Sequence, residues 1–238
     1  MIRSCQLTIP GLQKPLEFRF FEASQGHVAG ILEGKSYPHV PDIGSVHTIV
    51  DIGANVGAAS LALAARYVNA VVYAFEPGPA PRELLRTNTE SLGRIRVYPY
   101  GIHDHDGVVR LFRSRWDPMS ASIAASAENT EEYDEISLRS ARAVADELML
   151  DAIDVLKIDT EGCELPILQA WRDRLAVIRL LYLEYHSDDD RRAIDGLLAP
   201  THVLAHAEIR HPHRGDVTYV ARDTDFARRA STLAIGPT

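Results

Sequence analysis

Apolar and polar positions along the 238-residue chain change their period several times, and each change marks an expected element. Residues 1–45 alternate loosely, with scattered Gly and Pro. Leu16-Glu17-Phe18-Arg19-Phe20 is the clearest strand there, because apolar side chains two apart share one face. From His47 onward the pattern tightens. Thr48-Ile49-Val50-Asp51-Ile52 predicts a short buried strand, and 56–67, crowded with Ala and Leu, predicts a helix. Strands follow at 71–75, 96–98 and 108–112, with a helix from Pro79 to about Ser91. Pro79 and Pro81 suit its first turn, where missing amide donors cost little. No clear period runs through 113–134, which reads as a long loop of the kind that forms lids or binding loops. The later part predicts helices at 141–150, 165–172 and 188–198. Strands are expected at 154–158, 177–183, 203–207 and 217–221, the last two as an antiparallel pair.

Strand-helix alternation of this kind predicts an α/β fold with a doubly wound, mostly parallel seven-stranded sheet, helices on both faces and a terminal antiparallel hairpin. The organisation expected is a small β-rich N-terminal cover over 1–45, a main domain over 46–225 and a C-terminal tail over 226–238. Ligands in such sheets bind outside the carboxyl ends of the strands, where strand order reverses. The chemistry is therefore expected just after Ile52, Phe75, Tyr100, Ile158 and Leu183.

Composition narrows the classes. A hydrophobic fraction of 46% with 7% aromatic residues suits a globular protein with an aliphatic core. No run of about 20 apolar residues suggests a membrane span, and the first residues lack the apolar core of a signal peptide, so a cytoplasmic protein is expected. A formal charge of -8 argues against phosphate-dominated nucleic-acid binding. Cys5 and Cys163 are too few for a disulfide framework. The oligomeric state stays open, a homodimer included.

Candidate chemistry sits at the strand ends. The first ends in Val50-Asp51-Ile52-Gly53-Ala54-Asn55-Val56-Gly57. Glycines at a strand-to-helix turn allow tight geometry and close approach of a ligand. The spacing differs from the G-x-G-x-x-G of dinucleotide binders, and an acid just before the turn would sit badly beneath a pyrophosphate. It suits a ligand carrying an ammonium group, such as the methionine part of S-adenosylmethionine. Glu76, in Phe75-Glu76-Pro77, can accept both ribose hydroxyls of an adenosyl ligand. Gly101 and Ile102 are expected beside the adenine, with Asp104 or main-chain groups at the base edge. The fourth strand ends in the densest polar group, Lys157-Ile158-Asp159-Thr160-Glu161-Gly162-Cys163-Glu164. Lys157 and Asp159 share a face, and a lysine in an apolar strand needs an acid partner. Glu164 suits the following helix start. After Leu183, His186 is expected to join Asp159 and Glu161, as an acid-base group or as ligands of a divalent cation such as Mg2+. His103, His105, His211 and His213 read as loop residues.

Together these motifs resemble the FkbM-type methyltransferase family. The match rests on the 50–57 turn, on Phe75-Glu76-Pro77, on 156–164 and on Glu184-Tyr185-His186, and covers about Val46 to Ser187. The resemblance implies methyl transfer from S-adenosylmethionine to a hydroxyl oxygen of a small molecule, a sugar or natural product. It implies cofactor-binding positions at Asp51, Gly53, Asn55, Gly57 and Glu76, with Pro77, Gly101, Ile102 and Asp159 nearby. Asp159, Glu161 and His186 match positions beside the acceptor, with Lys157 positioning the Asp159 carboxylate. The long segment 113–134 departs from the family pattern, so the acceptor cannot be borrowed. Two other classes fit the sheet: a nicotinamide-dependent oxidoreductase, and a catalytically idle module that binds the cofactor and scaffolds a partner.

Overall fold

A computed structural model describes residues 1–10, 12–114, 121–123 and 129–232. Among them, β1 (Ile2–Leu7) and β2 (Leu16–Phe21) form an antiparallel hairpin, followed by α1 (Gln25–Leu32). The main sheet is built from β3 (Thr48–Ile52), β4 (Val71–Phe75), β5 (Ile95–Tyr98), β9 (Ile153–Ile158), β10 (Ile178–Tyr185), β11 (His202–His211) and β12 (Arg214–Ala221). Its order is β11-β12-β10-β9-β3-β4-β5. Pairing is parallel from β5 through β10, and β12 runs antiparallel to both β10 and β11. Between them lie α2 (Ala58–Arg66), α3 (Pro79–Thr89), α4 (Ala141–Glu147), α5 (Glu164–Ala170) and α6 (Asp188–Leu198), and α7 (Asp225–Thr232) follows. A second sheet, β6 (Gly101–His103), β8 (Asn129–Ser140) and β7 (Gly107–Ser114) in that order, leans over the carboxyl edge of the first.

The main sheet is buried on both faces, which is why its strands read as apolar runs without clean alternation. Successive residues divide between two cores. Ile49, Val155 and Leu180 pack with α1, α2 and α3, while Val50, Leu156 and Leu181 pack with α4, α5 and α6. All six residues of β9 are buried, and each aliphatic side chain taken from water contributes about 1.5–3 kcal/mol. The order in which strands are added reverses at β3, which lies between β4 and β9. The carboxyl ends of these three strands therefore open into one crevice.

Elements that differ from the sequence reading include α1, β8 and α7. α1 lies inside the segment expected to be β-rich; with two glycines and only Val28 and Ile31 buried, its helical signal is weak. β8 replaces the later part of the expected loop, where polar residues hide the alternation until Ile136 and Leu138 turn inward. Cross-strand pairs hold it: Arg113 reaches Asp134 at 3.0 Å and Glu132 at 3.1 Å, and the Arg110 guanidinium lies 4.5 Å from the Tyr133 ring centroid. Residues 115–120 and 124–128 of that segment lie outside the described residues. α7 occupies the start of the expected tail, seating Ala227 in the core. Among the described residues no helix is long and apolar enough to cross a membrane.

Candidate active site

A cavity of about 510 Å³ lies along the carboxyl ends of β3, β4 and β9, within the usual range for a small-molecule site. The turn after β3 shapes one wall. Gly53 has φ +78°, and a Cβ there would lie 1.8 Å from the Asp159 carbonyl oxygen, so the β3 and β9 exits touch only because the side chain is missing. The Gly53 and Ala54 amides donate to the Phe75 carbonyl, and the Asp159 amide to the Ile52 carbonyl. Asn55 follows with φ 50° and borders the cavity. Gly57, with φ +92°, starts α2 against Leu85 and does not border the cavity.

Glu76 ends β4 inside the same wall. One oxygen accepts the Asn55 amide at 2.8 Å and the other the Gly78 amide at 2.7 Å. Burial pushes its carboxyl up to about 7, against the lowering effect of those amides. Each oxygen keeps a further lone pair, so the group can still accept two hydroxyls. Pro77, Gly101 and Ile102 line the cavity next to it, and Leu111, Ile136 and Leu138 close it from the second sheet.

Asp51 and Lys157 differ from expectation. They are register partners on adjacent strands, and the Lys157 Nζ lies 3.1 Å from Asp51 Oδ1 but 3.9 Å from Asp159 Oδ2. A neighbour across the ladder is closer than the residue two along the same strand. Asp51 is wholly buried, accepts from the Ser60 hydroxyl at 2.6 Å and does not line the cavity, so its carboxylate is not placed to meet a ligand's ammonium group. Lys157 also donates to the Gly53 carbonyl at 2.5 Å and the Ile52 carbonyl at 3.4 Å. Burial works against its charge, but Asp51, with Tyr37 and Asp159 behind it, outweighs burial and keeps it an ammonium. It acts first as the strut of the Gly53 turn, and only second on Asp159.

The β9 and β10 exits bring Asp159, Glu161 and His186 together as expected, and add Glu184. His186 Nε2 is 3.1 Å from Glu161 and Nδ1 is 3.2 Å from Glu164. Burial alone would depress the imidazole, but those carboxylates overcome it and push it up to about 10. Burial raises the Asp159 carboxyl, but Lys157, His186, His27 and Arg214 together outweigh it and hold the group below the usual carboxylate range. Burial and the neighbouring Asp159 push Glu184 upward. Glu164 does more than favour a helix start: buried, it accepts from the Thr160 amide and hydroxyl and from the Gly162 amide, cinching the 160–163 loop.

Asp159, Glu184 and His186 offer ligand atoms within 4.8 Å of one another, a grouping in which Glu184 replaces the expected Glu161. His186 faces Glu161 through Nε2 and Glu164 through Nδ1, and a histidine that gives its Nδ1–H to a carboxylate can turn Nε2 to a cation, so the grouping fits a divalent ion as well as a charged imidazole. Without an ion the two carboxylates hold the imidazole charged, and it then has no lone pair to offer as a base.

Sequence reasoning quoted Glu184 in the motif that carries His186 but gave it no role of its own. It missed Arg210 and Arg214, which flank the β11–β12 turn and reach Glu184 at 3.7 and 3.2 Å. Nothing local marks those arginines; the antiparallel register that sets Glu184 opposite Asp216 places them. His211 ends β11 and lines the cavity, whereas His103 and His105 pair with Asp104 on an outer turn.

Strand order and crevice define a doubly wound α/β protein of the methyltransferase fold. Its backbone superimposes on the Methanococcus jannaschii fibrillarin pre-rRNA processing protein with a TM-score of 0.53, over 92% of this chain and 88% of that one at 10% identity. Within that class, the sequence profile of the methyltransferase FkbM domain matches residues 51–212, and the chain belongs to this family. The family is one of methyltransferases. The chain is similar to the 2-O-methyltransferase NoeI of Sinorhizobium fredii, 27% identical over 59% of this chain and 64% of that protein. It is also similar to the hexuronic acid methyltransferase AglP of Haloferax volcanii, 25% identical over 74% and 67%, and to the methyltransferase sdnD of Sordaria araneosa, 26% identical over 51% and 59%. The chain thus matches about three fifths of the length of NoeI and sdnD.

Removing one partner of a buried ion pair strands the other charge, at a cost of about 3–5 kcal/mol. Asp51→Ala is expected to lower unfolding free energy by that amount in urea titrations, and pairing Asp51→Leu with Lys157→Met to recover most of it. Full stability in Asp51→Ala would show that the pair does not brace the β3–β9 exit.

Proposed function

We propose that the protein moves a methyl group from S-adenosylmethionine to a hydroxyl oxygen of a small molecule, a sugar in the first instance. The observation that carries the donor is Glu76: a buried carboxylate, fixed by two amides at the exit of β4 and open to the cavity, is suited to the two hydroxyls of an adenosyl ribose. Gly53 allows the backbone to approach a ligand closely, and Ile102 and Pro77 offer apolar surface for the base. The relatives support the acceptor, since NoeI and AglP are named for a 2-O position and a hexuronic acid.

The donor, when bound, supplies an electrophilic methyl on a cationic sulfur. The protein's own share is alignment of the acceptor and removal of its proton. Asp159 suits the proton removal, being ionised, bordering the cavity and steadied by Lys157 and His186. Arg214 ties Glu161 to Glu184, and Arg210 ties Glu184 to Asp216 at 2.5 Å from the latter. That alternation of donors and acceptors suits an acceptor with several hydroxyls.

Labelled methyl transfer to a panel of methyl glycosides tests this reading. Asp159→Asn is expected to lower kcat by about 10²–10⁴-fold while S-adenosylhomocysteine affinity stays within about threefold, which corresponds to less than 1 kcal/mol. Full turnover in that variant would remove Asp159 as the base. A pH series checks Glu76 separately. Only its ionised form accepts two hydroxyls, so affinity for S-adenosylhomocysteine should fall about tenfold from pH 8 to pH 6, and Glu76→Gln should flatten the profile at weak affinity. A flat profile in the unaltered protein would contradict the assignment.

A further inference from the structure

Tyr37 precedes the residues matched by the family profile and yet reaches the cavity. A row of register partners crosses the sheet at this depth, from Asp51 on β3 through Lys157 on β9 to Tyr182 on β10. Tyr37 packs on that row: its ring meets Tyr182 edge-on, with centroids 5.5 Å apart and planes at 63°. Two further bonds fix the segment. Arg66 Nη1 donates to the Tyr37 carbonyl at 2.8 Å, and the Tyr182 hydroxyl donates to the Pro38 carbonyl at 2.6 Å.

The backbone at Tyr37 is left-handed, with φ 58°, a conformation rare for an aromatic residue. Asn55 and Glu161, with φ 50° and 56°, are the other cavity-lining residues besides glycine that adopt it among those described. Such strain persists where surrounding contacts over-determine it, and it gathers at functional sites. At Tyr37 the contacts that hold it are those that turn the ring toward the cavity. Among the described residues no hydrogen bond engages the phenol hydroxyl. Burial, together with Asp159, Asp51 and Asp216, outweighs Lys157 and keeps that hydroxyl protonated.

We infer that Tyr37 is a specificity-determining residue of the acceptor site, its phenol donating a hydrogen bond to an oxygen of a polyhydroxylated acceptor beside Asp159. This rests on the proposed O-methyl transfer to a sugar. A protonated phenol can donate but cannot take the acceptor's proton, so its role complements that of Asp159. The N-terminal segment thereby adds to acceptor selection beside Asp159, Glu161 and Glu184 of the family domain.

The test uses the full chain saturated with S-adenosylhomocysteine, probed by saturation-transfer NMR with methyl glucoside, methyl fucoside and N-acetylglucosamine. Tyr37→Phe keeps the ring on Tyr182, so melting temperature and S-adenosylhomocysteine affinity should stay unchanged. The dissociation constant of whichever sugar binds should rise about tenfold, the loss of one buried hydrogen bond. Equal sugar binding in the variant would overturn the inference, as would a matching loss of S-adenosylhomocysteine affinity, which would assign the hydroxyl to the donor. So would failure of all three sugars to bind the loaded protein. Failure of S-adenosylhomocysteine to bind the unaltered protein would instead remove the methyltransferase donor reading, and the Tyr37 role with it.

Discussion

The buried pair between Asp51 and Lys157 is the contact on which the site's shape depends. It spans β3 and β9, the two parallel strands at the point where the order of the sheet reverses. An unpaired ammonium at this depth would be too costly to keep. Paired, it has donors left for the Ile52 and Gly53 carbonyls, and so ties the first turn to the fourth strand. Gly53 completes the join, because only a residue without a side chain fits against the Asp159 carbonyl. One electrostatic contact thereby sets where the floor of the cavity ends and where Asp159 emerges from it.

The two ends of the cavity differ in electrostatic character. Around Glu76 the partners are backbone amides, whose positions are fixed by the fold and do not titrate. Around Asp159 they are charged side chains in alternation: His186 between Glu161 and Glu164, then Arg214 and Arg210 reaching Glu184 and Asp216. A site built on amides recognises one ligand in one pose. A lattice of paired charges can be repatterned by a few substitutions, which suits the end proposed for the acceptor.

Much of this is legible in the chain itself. The acids and glycines that follow β3, β4 and β9 announce themselves because a strand end concentrates its chemistry in a few consecutive residues. The mostly parallel sheet follows from strand-helix alternation. What stays hidden depends on register or on distant segments. Lys157 reads as a partner of Asp159 along its own strand; only the cross-strand pairing gives it to Asp51. His186 reads as a base, and the loss of that role needs Glu164 brought beneath it by the turn at Gly162. β8 reads as loop because its outer half is polar on both faces and gains its stability from Arg110 and Arg113 on the strand beside it. Tyr37 carries no motif at all, and its place in the cavity arises from Arg66 and Tyr182.

The proposed adenosyl donor has its ribose on Glu76, at the exit of β4 beside the Gly53 turn, in the cavity between β3, β4 and β9. Calorimetric titration of the unaltered protein with S-adenosylhomocysteine and with NAD, at pH 8 where Glu76 is ionised, tests this most directly. The expected result is micromolar binding of S-adenosylhomocysteine and NAD binding weaker by about a hundredfold, a difference of about 2.7 kcal/mol. Equal or tighter binding of NAD, or no binding of S-adenosylhomocysteine, would contradict it.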